Sequence, residues 1–223
     1  NHFINKLNPE FNPPIFSIHL ASGMLKKSAE LKASPQLMKY AAVIDTESKR
    51  LRNQVDKVLQ MALIDSGNFK LEKKSLDVHQ LIRKVVKNFE ILIKERKGHI
   101  KLNLNATNSF LFADETHLKN ILYNLLDNAQ KYSPSQPQIV ITSEDTDSGL
   151  ALSIQDNGIG IKEDIQRYIF NKFYRAESGD IHNVKGFGLG LSYVKSVIEA
   201  HQATIQLISS PNNGSKFIMK FSA

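Results

Sequence analysis

The spacing of apolar residues changes character once along this chain, at Ser66-Gly67-Asn68, and no other feature limits its fold as much. Upstream the period is helical. Ser34 suits an N-cap and Pro35 a first helical position, after which Tyr40, Ile44, Leu51, Val55, Val58 and Ala62 recur at three-to-seven spacing. Gly67 can take the left-handed conformation that closes such a helix. Residues 1–31 carry another helical stripe, formed by Phe3, Leu7, Phe11, Ile15, Ile18 and Leu25, and a short connection at 32–34 returns the chain antiparallel. Two helices cannot bury both stripes by themselves. The economical partner is a second copy, giving a homodimeric four-helix bundle; packing of the hairpin on its own downstream domain is the alternative.

Downstream the segments alternate. Residues 71–77 read as a strand, 78–97 as a helix, 99–106 and 109–113 as strands, and 114–132 as a capped helix. Residues 138–144 and 150–155 read as a hairpin, 189–201 as a helix, and 203–209 with 215–221 as a final hairpin. The predicted fold class is therefore α+β: a helical hairpin over 1–66, then an α/β sandwich over 68–223 with a mixed sheet and helices on one face. Between Asn171 and Phe187 the chain is polar, contains glycine and lacks periodicity, which reads as a mobile lid.

Composition excludes more than it selects. With 41% apolar residues the 223-residue chain can build packed cores. It has no cysteine, so disulfides, thiolate metal sites and cysteine nucleophiles are excluded, and a reducing compartment fits. No apolar run approaches the roughly 20 residues that span a bilayer. The net charge of +7 is spread rather than massed in one basic run. That argues against nucleic acid and for a solvated basic surface, or a docking face for an acidic protein or a nucleotide.

Three motifs carry chemistry. Asn120, Asn124, Asn128 and Lys131 fall three or four residues apart on one helix and stack amides and an ammonium on one face. Such a face can be merely solvated, or it can meet a magnesium ion and phosphate oxygens, since an amide oxygen is a hard ligand and an ammonium a point charge. Asp156-Asn157-Gly158-Ile159-Gly160 delivers a carboxylate at a strand end, able to accept from an exocyclic amine, followed by glycines that admit close backbone approach. Gly186-Phe187-Gly188-Leu189-Gly190 opens a helix whose bare N–H groups attract phosphate. Each of the last two also occurs in ordinary turns.

Taken in order, residues 124–133, 156–160, 169–175 and 186–192 resemble the asparagine, first glycine, phenylalanine and second glycine boxes of sensor histidine kinases, and residues 1–66 resemble their dimerisation and phosphoacceptor hairpin. The resemblance implies ATP and magnesium as ligands. It makes Asn128 the magnesium ligand, Asn124 a polar neighbour one turn earlier, Lys131 a phosphate contact and Tyr132 a ring near the adenine. Asp156 then reads the adenine amine beside the Gly158–Gly160 turn. Phe170, Phe173 and Tyr174 anchor the lid, Arg175 contacts the γ-phosphate, and Gly186, Gly188, Leu189 and Gly190 form the triphosphate cradle. It also implies a homodimer, a response regulator receiver domain as partner, and a cytoplasmic portion of an inner-membrane sensor whose anchor lies outside this sequence.

One box departs from the pattern. Where the family places a phosphoacceptor histidine followed by an acid, this chain reads Pro9-Glu10-Phe11-Asn12-Pro13-Pro14. Pro9 offers no imidazole, Pro13 replaces the Thr or Asn that would orient a hydrolytic water, and Glu10 remains as an acid without a base to activate. His19 is ten residues on, ~15 Å along a helix and nearly a quarter-turn away, and His2 is about two turns earlier. Both read as helix-surface residues; His117 on the asparagine-box helix and His182 in the lid are open to a polar or phosphate-contacting role that no motif supports, and His79, His99 and His201 carry no signal. Pro9 and Pro13, each after an asparagine, predict a helix break between Leu7 and Pro14, with regular helix over 14–31. Three readings stand: a kinase core whose transfer to its own bundle is disabled, an ATP-binding pseudokinase scaffold, and an ATPase of the related gyrase and chaperone superfamily.

Overall fold

The computed structural model describes residues 17–18, 20–27, 34–65, 69–133, 136–174 and 188–222. The predicted break at 7–14, Pro9, Glu10, His2, His19, most of the predicted lid, Arg175, His182 and Gly186 lie outside the described residues. The chain divides into two compact units, Asn1–Phe69 and Lys70–Ala223.

In the first unit, α1 spans Pro35–Asp65. It starts where Ser34 places its hydroxyl 3.5 Å from the Leu37 N–H. Residues 20–27 are also helical, and Lys26 reaches from them to Asp45 of α1 at 2.5 Å, with Lys49 at 3.1 Å from the same carboxylate. These two lysines hold the Asp45 pKa down at about 2. Ser22, Ala41, Asp45 and Ser48 are buried, whereas Ile18, Leu20, Met24, Leu25, Leu37, Tyr40, Val43, Ile44 and Leu51 remain exposed. Among the described residues of the apolar stripe read from the sequence, Ile18, Leu25, Tyr40, Ile44 and Leu51 are thus uncovered in a single chain.

The second unit is an α+β sandwich. Its elements are β1 (Lys74–Asp77), α2 (Val78–Glu95), β2 (His99–Leu104), β3 (Phe110–Ala113), α3 (Glu115–Tyr132), β4 (Gln138–Thr146), β5 (Gly149–Asp156), α4 (Glu163–Gln166), α5 (Gly190–Ala200), β6 (Thr204–Ser209) and β7 (Ser215–Ser222). Five strands form one mixed sheet in the order β2-β4-β5-β7-β6, with β2 parallel to β4 and the other neighbours antiparallel. β1 and β3 pair apart from it as a two-stranded antiparallel ribbon, a division local periodicity did not announce. α3 packs against α2, α5 and β5, and the amphipathic period of α3 explains how: Leu118, Ile121, Leu122, Leu125, Leu126 and Ala129 are all buried.

Element ends follow backbone chemistry. Asp77 caps α2 by accepting from the N–H groups of His79 and Gln80, and Asp114 caps α3 by accepting from that of His117. α2 ends two residues earlier than expected because Lys97 takes a φ of 56° and Gly98 donates back to the Ile93 carbonyl at 2.9 Å, a closure that satisfies the last-turn acceptors. The short α4 was not anticipated.

Candidate functional site

The alternation of β5 aims its last residue. Leu150, Leu152 and Ile154 are buried, and Asp156 falls in phase with them, so a carboxylate arrives at the strand end on the core side, 9% exposed. Its Oδ1 accepts from the N–H of Gly158 at 2.7 Å and of Ser215 at 3.2 Å. Oδ2 has no hydrogen bond among the described residues. Burial pushes the Asp156 pKa up, against the pull of those two N–H donors. The site therefore holds a desolvated acceptor with one oxygen committed and the other available.

Around that carboxylate the glycines are sterically required. A Cβ on Gly158 would lie 2.6 Å from Asp156 Oδ1 and 2.7 Å from the Tyr132 carbonyl oxygen. Gly160, at φ 68°, would drive a side chain into the Ser210 carbonyl, and Gly214, at φ 73°, into that of Asp156 itself. The Tyr132 carbonyl accepts from Ile159 N–H at 3.0 Å, fixing the turn on the end of α3, while the Tyr132 ring is partly exposed. Asn157 acts as a clip: its amide accepts from Gln138 N–H at 2.8 Å and donates to the Gln136 carbonyl at 3.2 Å.

The polar stripe of α3 meets the start of α5. Asn124 donates to the Asn120 carbonyl at 2.8 Å, and its Oδ1 stands 3.1 Å from where a Gly190 Cβ would be. Glycine at 190 thus lets the two helices approach. Leu189 occupies the N-cap of α5 and supplies no side-chain cap, which leaves first-turn N–H groups for another acceptor. The Leu189 side chain is itself buried, so it contributes to this site through backbone only. Asn128 is half-buried, and its amide has no hydrogen bond among the described residues. Lys131, expected as a phosphate contact, pairs with Asp127 one turn back. An i,i+4 surface pair of this kind is worth only about 0.3–0.5 kcal/mol and yields readily to a stronger anion.

At the edges of the predicted lid, Phe173 takes a φ of 61° and donates its N–H to the Gly188 carbonyl at 3.1 Å. Gly188, at φ 72°, leaves room for the backbone of Phe173 and Tyr174. Phe170 packs edge-on against Phe217 at 6.4 Å, and the Tyr174 ring lies 5.7 Å from that of Tyr168. Phe173 is 65% exposed and anchors nothing in the core.

Some participants gave no functional signal in the sequence. Ser215 holds Asp156 from 59 residues away, and the only local sign was the turn cluster Pro211-Asn212-Asn213-Gly214. Arg96 places its guanidinium on the carbonyls of Gln130 and Ser133, closing the C-terminus of α3 beside the site. His117 and Tyr193 bond to each other at 2.7 Å across 76 residues. No helix among the described residues is long and apolar enough to cross a membrane, and none of their His, Cys, Asp and Glu side chains cluster as a metal site.

Comparison with known proteins places this geometry. Residues 113–223 match the family of histidine kinase-, DNA gyrase B-, and HSP90-like ATPases. The sensor protein RprX of Bacteroides fragilis (strain YCH46) is 46% identical over 222 residues, which is 98% of this chain and 43% of that protein. The catalytic domain of histidine kinase ThkA is 30% identical, with a TM-score of 0.58 over 68% of this chain and 98% of that one. A crystal structure of full-length ShkA in complex with AMPPNP shares the fold, with a TM-score of 0.86 at 22% identity, over 100% of this chain and 46% of that one. The chain spans less than half the length of the sensor proteins it matches.

Proposed function

The chain belongs to the sensor histidine kinases, transferases with a histidine kinase-type ATPase domain, and from that premise we propose that it binds ATP between Asp156 and the start of α5 within a two-component signalling protein. The observation that carries this is the approach of Gly190 to Asn124, which joins the polar stripe of α3 to the uncapped N-terminus of α5. One end of the site offers a desolvated carboxylate acceptor and the other offers backbone donors, which suits a ligand with an amine at one end and phosphates at the other.

In this reading Asp156 Oδ2 accepts from the adenine amine while Gly158 and Gly160 admit the ring edge, with Tyr132 alongside. The N–H groups at Gly188, Leu189 and Gly190, with Gly186, hold phosphate oxygens. Lys131 exchanges Asp127 for phosphate, and Arg175 contacts the terminal phosphate. Phe170 and Tyr174 fix the lid root. Asn128, with a half-buried amide unspent on the protein, fits a magnesium ligand, and Asn124 lies one turn before it; a bound magnesium ion would neutralise charge between phosphate oxygens.

The exposed apolar stripe of α1 supports a homodimer in which four helices cover each other's faces. The partner for phosphoryl transfer is a receiver domain, and the whole protein is a sensor anchored at the inner membrane with this portion in the cytoplasm. Because Pro9 stands where the acceptor histidine is expected and Pro13 follows it, this chain is read as a kinase core that binds ATP without phosphorylating its own hairpin. The pseudokinase scaffold is the second reading, favoured by the same two prolines and by Glu10 lacking a neighbouring imidazole. Incubation with labelled ATP is expected to give nucleotide binding and no acid-labile label on the protein alone. Label appearing on an added histidine-bearing kinase or receiver domain selects the kinase core over the scaffold. Failure to bind ATP overturns both, and acid-labile label on His19 or His2 overturns the loss of the acceptor.

A further inference from the structure

Below the site, on the same two helices, lies a hydrogen-bonded group that the family reading does not use. Tyr193 is the fourth residue of α5, 4% exposed, and its N–H bonds to the Leu189 carbonyl at 3.1 Å. Its hydroxyl lies 2.7 Å from His117 Nδ1 and 3.4 Å from Asn120 Nδ2, both on α3. Asn120 donates to the phenol oxygen, which leaves the phenol proton able to go to His117 Nδ1; in that arrangement the imidazole is the neutral tautomer with Nδ1 as acceptor. Burial works in the same sense on both groups: it lowers the His117 pKa and pushes that of Tyr193 to about 12.

The connections close into a loop. Asn120 offers its carbonyl to Asn124 at 2.8 Å, Asn124 Oδ1 faces Gly190, and Gly190 begins the turn that Tyr193 completes. We propose that Tyr193 and His117 are positioning residues that hold the first turn of α5 against the asparagine stripe of α3, and so set affinity for the phosphate end of the nucleotide. This rests on the nucleotide-site reading above. Asp156 lies on β5, outside the loop, so the adenine end is not set by it.

The test is a ladder of ligands that share adenosine and differ in phosphate number and the magnesium that accompanies it. Adenosine, ADP with magnesium and ATP with magnesium are titrated calorimetrically into the full chain and its variants. Tyr193→Phe keeps the ring and removes the hydroxyl; it is expected to weaken ATP about 5- to 10-fold, ADP less, and adenosine not at all. His117→Leu is expected to behave alike, and His117→Gln, which restores an acceptor, to recover most of the loss. Equal weakening of all three ligands, no weakening of any, or identical behaviour of the Leu and Gln variants would overturn the proposal. Wild-type protein that binds adenosine and ATP equally would refute it while leaving Asp156 in place, whereas wild-type protein that binds neither removes the site reading itself. Nitrogen-15 shifts of His117 provide a check free of ligand: a proton on Nδ1 contradicts the arrangement.

Discussion

Replacing Asp156 by asparagine separates the roles of its two oxygens. The carbonyl of the substituted side chain can still accept from Gly158 and Ser215, the two donors now at 2.7 and 3.2 Å, so the turn keeps its internal bonds. The amide NH2 then sits where Oδ2 was, and a donor confronts the donor amine of adenine. Loss of one charge-assisted hydrogen bond costs about 1 to 3 kcal/mol, or roughly 5- to 150-fold in affinity. Selectivity over GTP should fall as well, because the guanine carbonyl was repelled by a carboxylate and is welcomed by an amide. Folding stability should not fall. Burial raises the Asp156 pKa above its ordinary 3.8, so ionisation opposes folding as pH rises through that raised value, and the neutral amide removes the penalty. Titration calorimetry with ATP and GTP, alongside thermal melts at pH 7, measures both sides. Unchanged ATP affinity and selectivity refute the assignment. A large drop in Tm would instead make Asp156 a structural acceptor whose effect on binding is indirect.

Other residues give sharp expectations. Gly160→Ala imposes a left-handed conformation at φ 68° on a residue with a Cβ and forces the Ser210 carbonyl aside; destabilisation of about 1–3 kcal/mol in urea titrations is expected, with weaker ATP binding, and wild-type values would refute the steric account. Arg96→Leu leaves the carbonyls of Gln130 and Ser133 without their guanidinium and should cost about 1.5–3 kcal/mol by the same measurement, with a lysine at that position recovering only part because it lacks the two-pronged donor. His201 accepts the Asp114 N–H at Nε2 and donates from Nδ1 to the Val197 carbonyl; burial lowers its pKa below the ordinary 6.5. The unfolded chain therefore binds the proton first, so this stability is complete above pH 6.5 and declines as pH falls below it; His201→Gln should flatten that decline in melts between pH 7 and 5, and an unaltered slope would refute it.

How much of this was legible depends on whether the information is local. The period-2 run Leu150, Leu152, Ile154 announced β5 and, read one step further, the inward placement of Asp156. The caps Asp77 and Asp114 were in the open too. Strand pairing was not. Nothing in residues 99–104 says that they pair in parallel with β4 while β1 and β3 form a separate ribbon, because alternation fixes a face and not a neighbour. Lys131 shows information that was local: Asp127 stands four residues before it, and the helix rule supplies that pairing from sequence.

The two bonds on Asp156 Oδ1 show why a motif match understates what a site requires. Gly158 is local to the motif, but the Ser215 donor belongs to β7 and is brought there by the β5–β7 pairing, with the Gly214 turn packed against the Asp156 backbone. At the other end, the close pass of Gly190 needs α5 docked on α3, two helices that pack together and that bury Val194, Val197 and Ile198 on one and a run of leucines on the other. Neither end exists in an isolated peptide carrying the motif. The carboxylate oxygen and the helix donors are preorganised only after strands and helices far apart in sequence have closed around them. A ligand that bridges both ends therefore binds the folded unit and not the unfolded chain, and it should stabilise that unit by an amount that grows with its concentration above the dissociation constant.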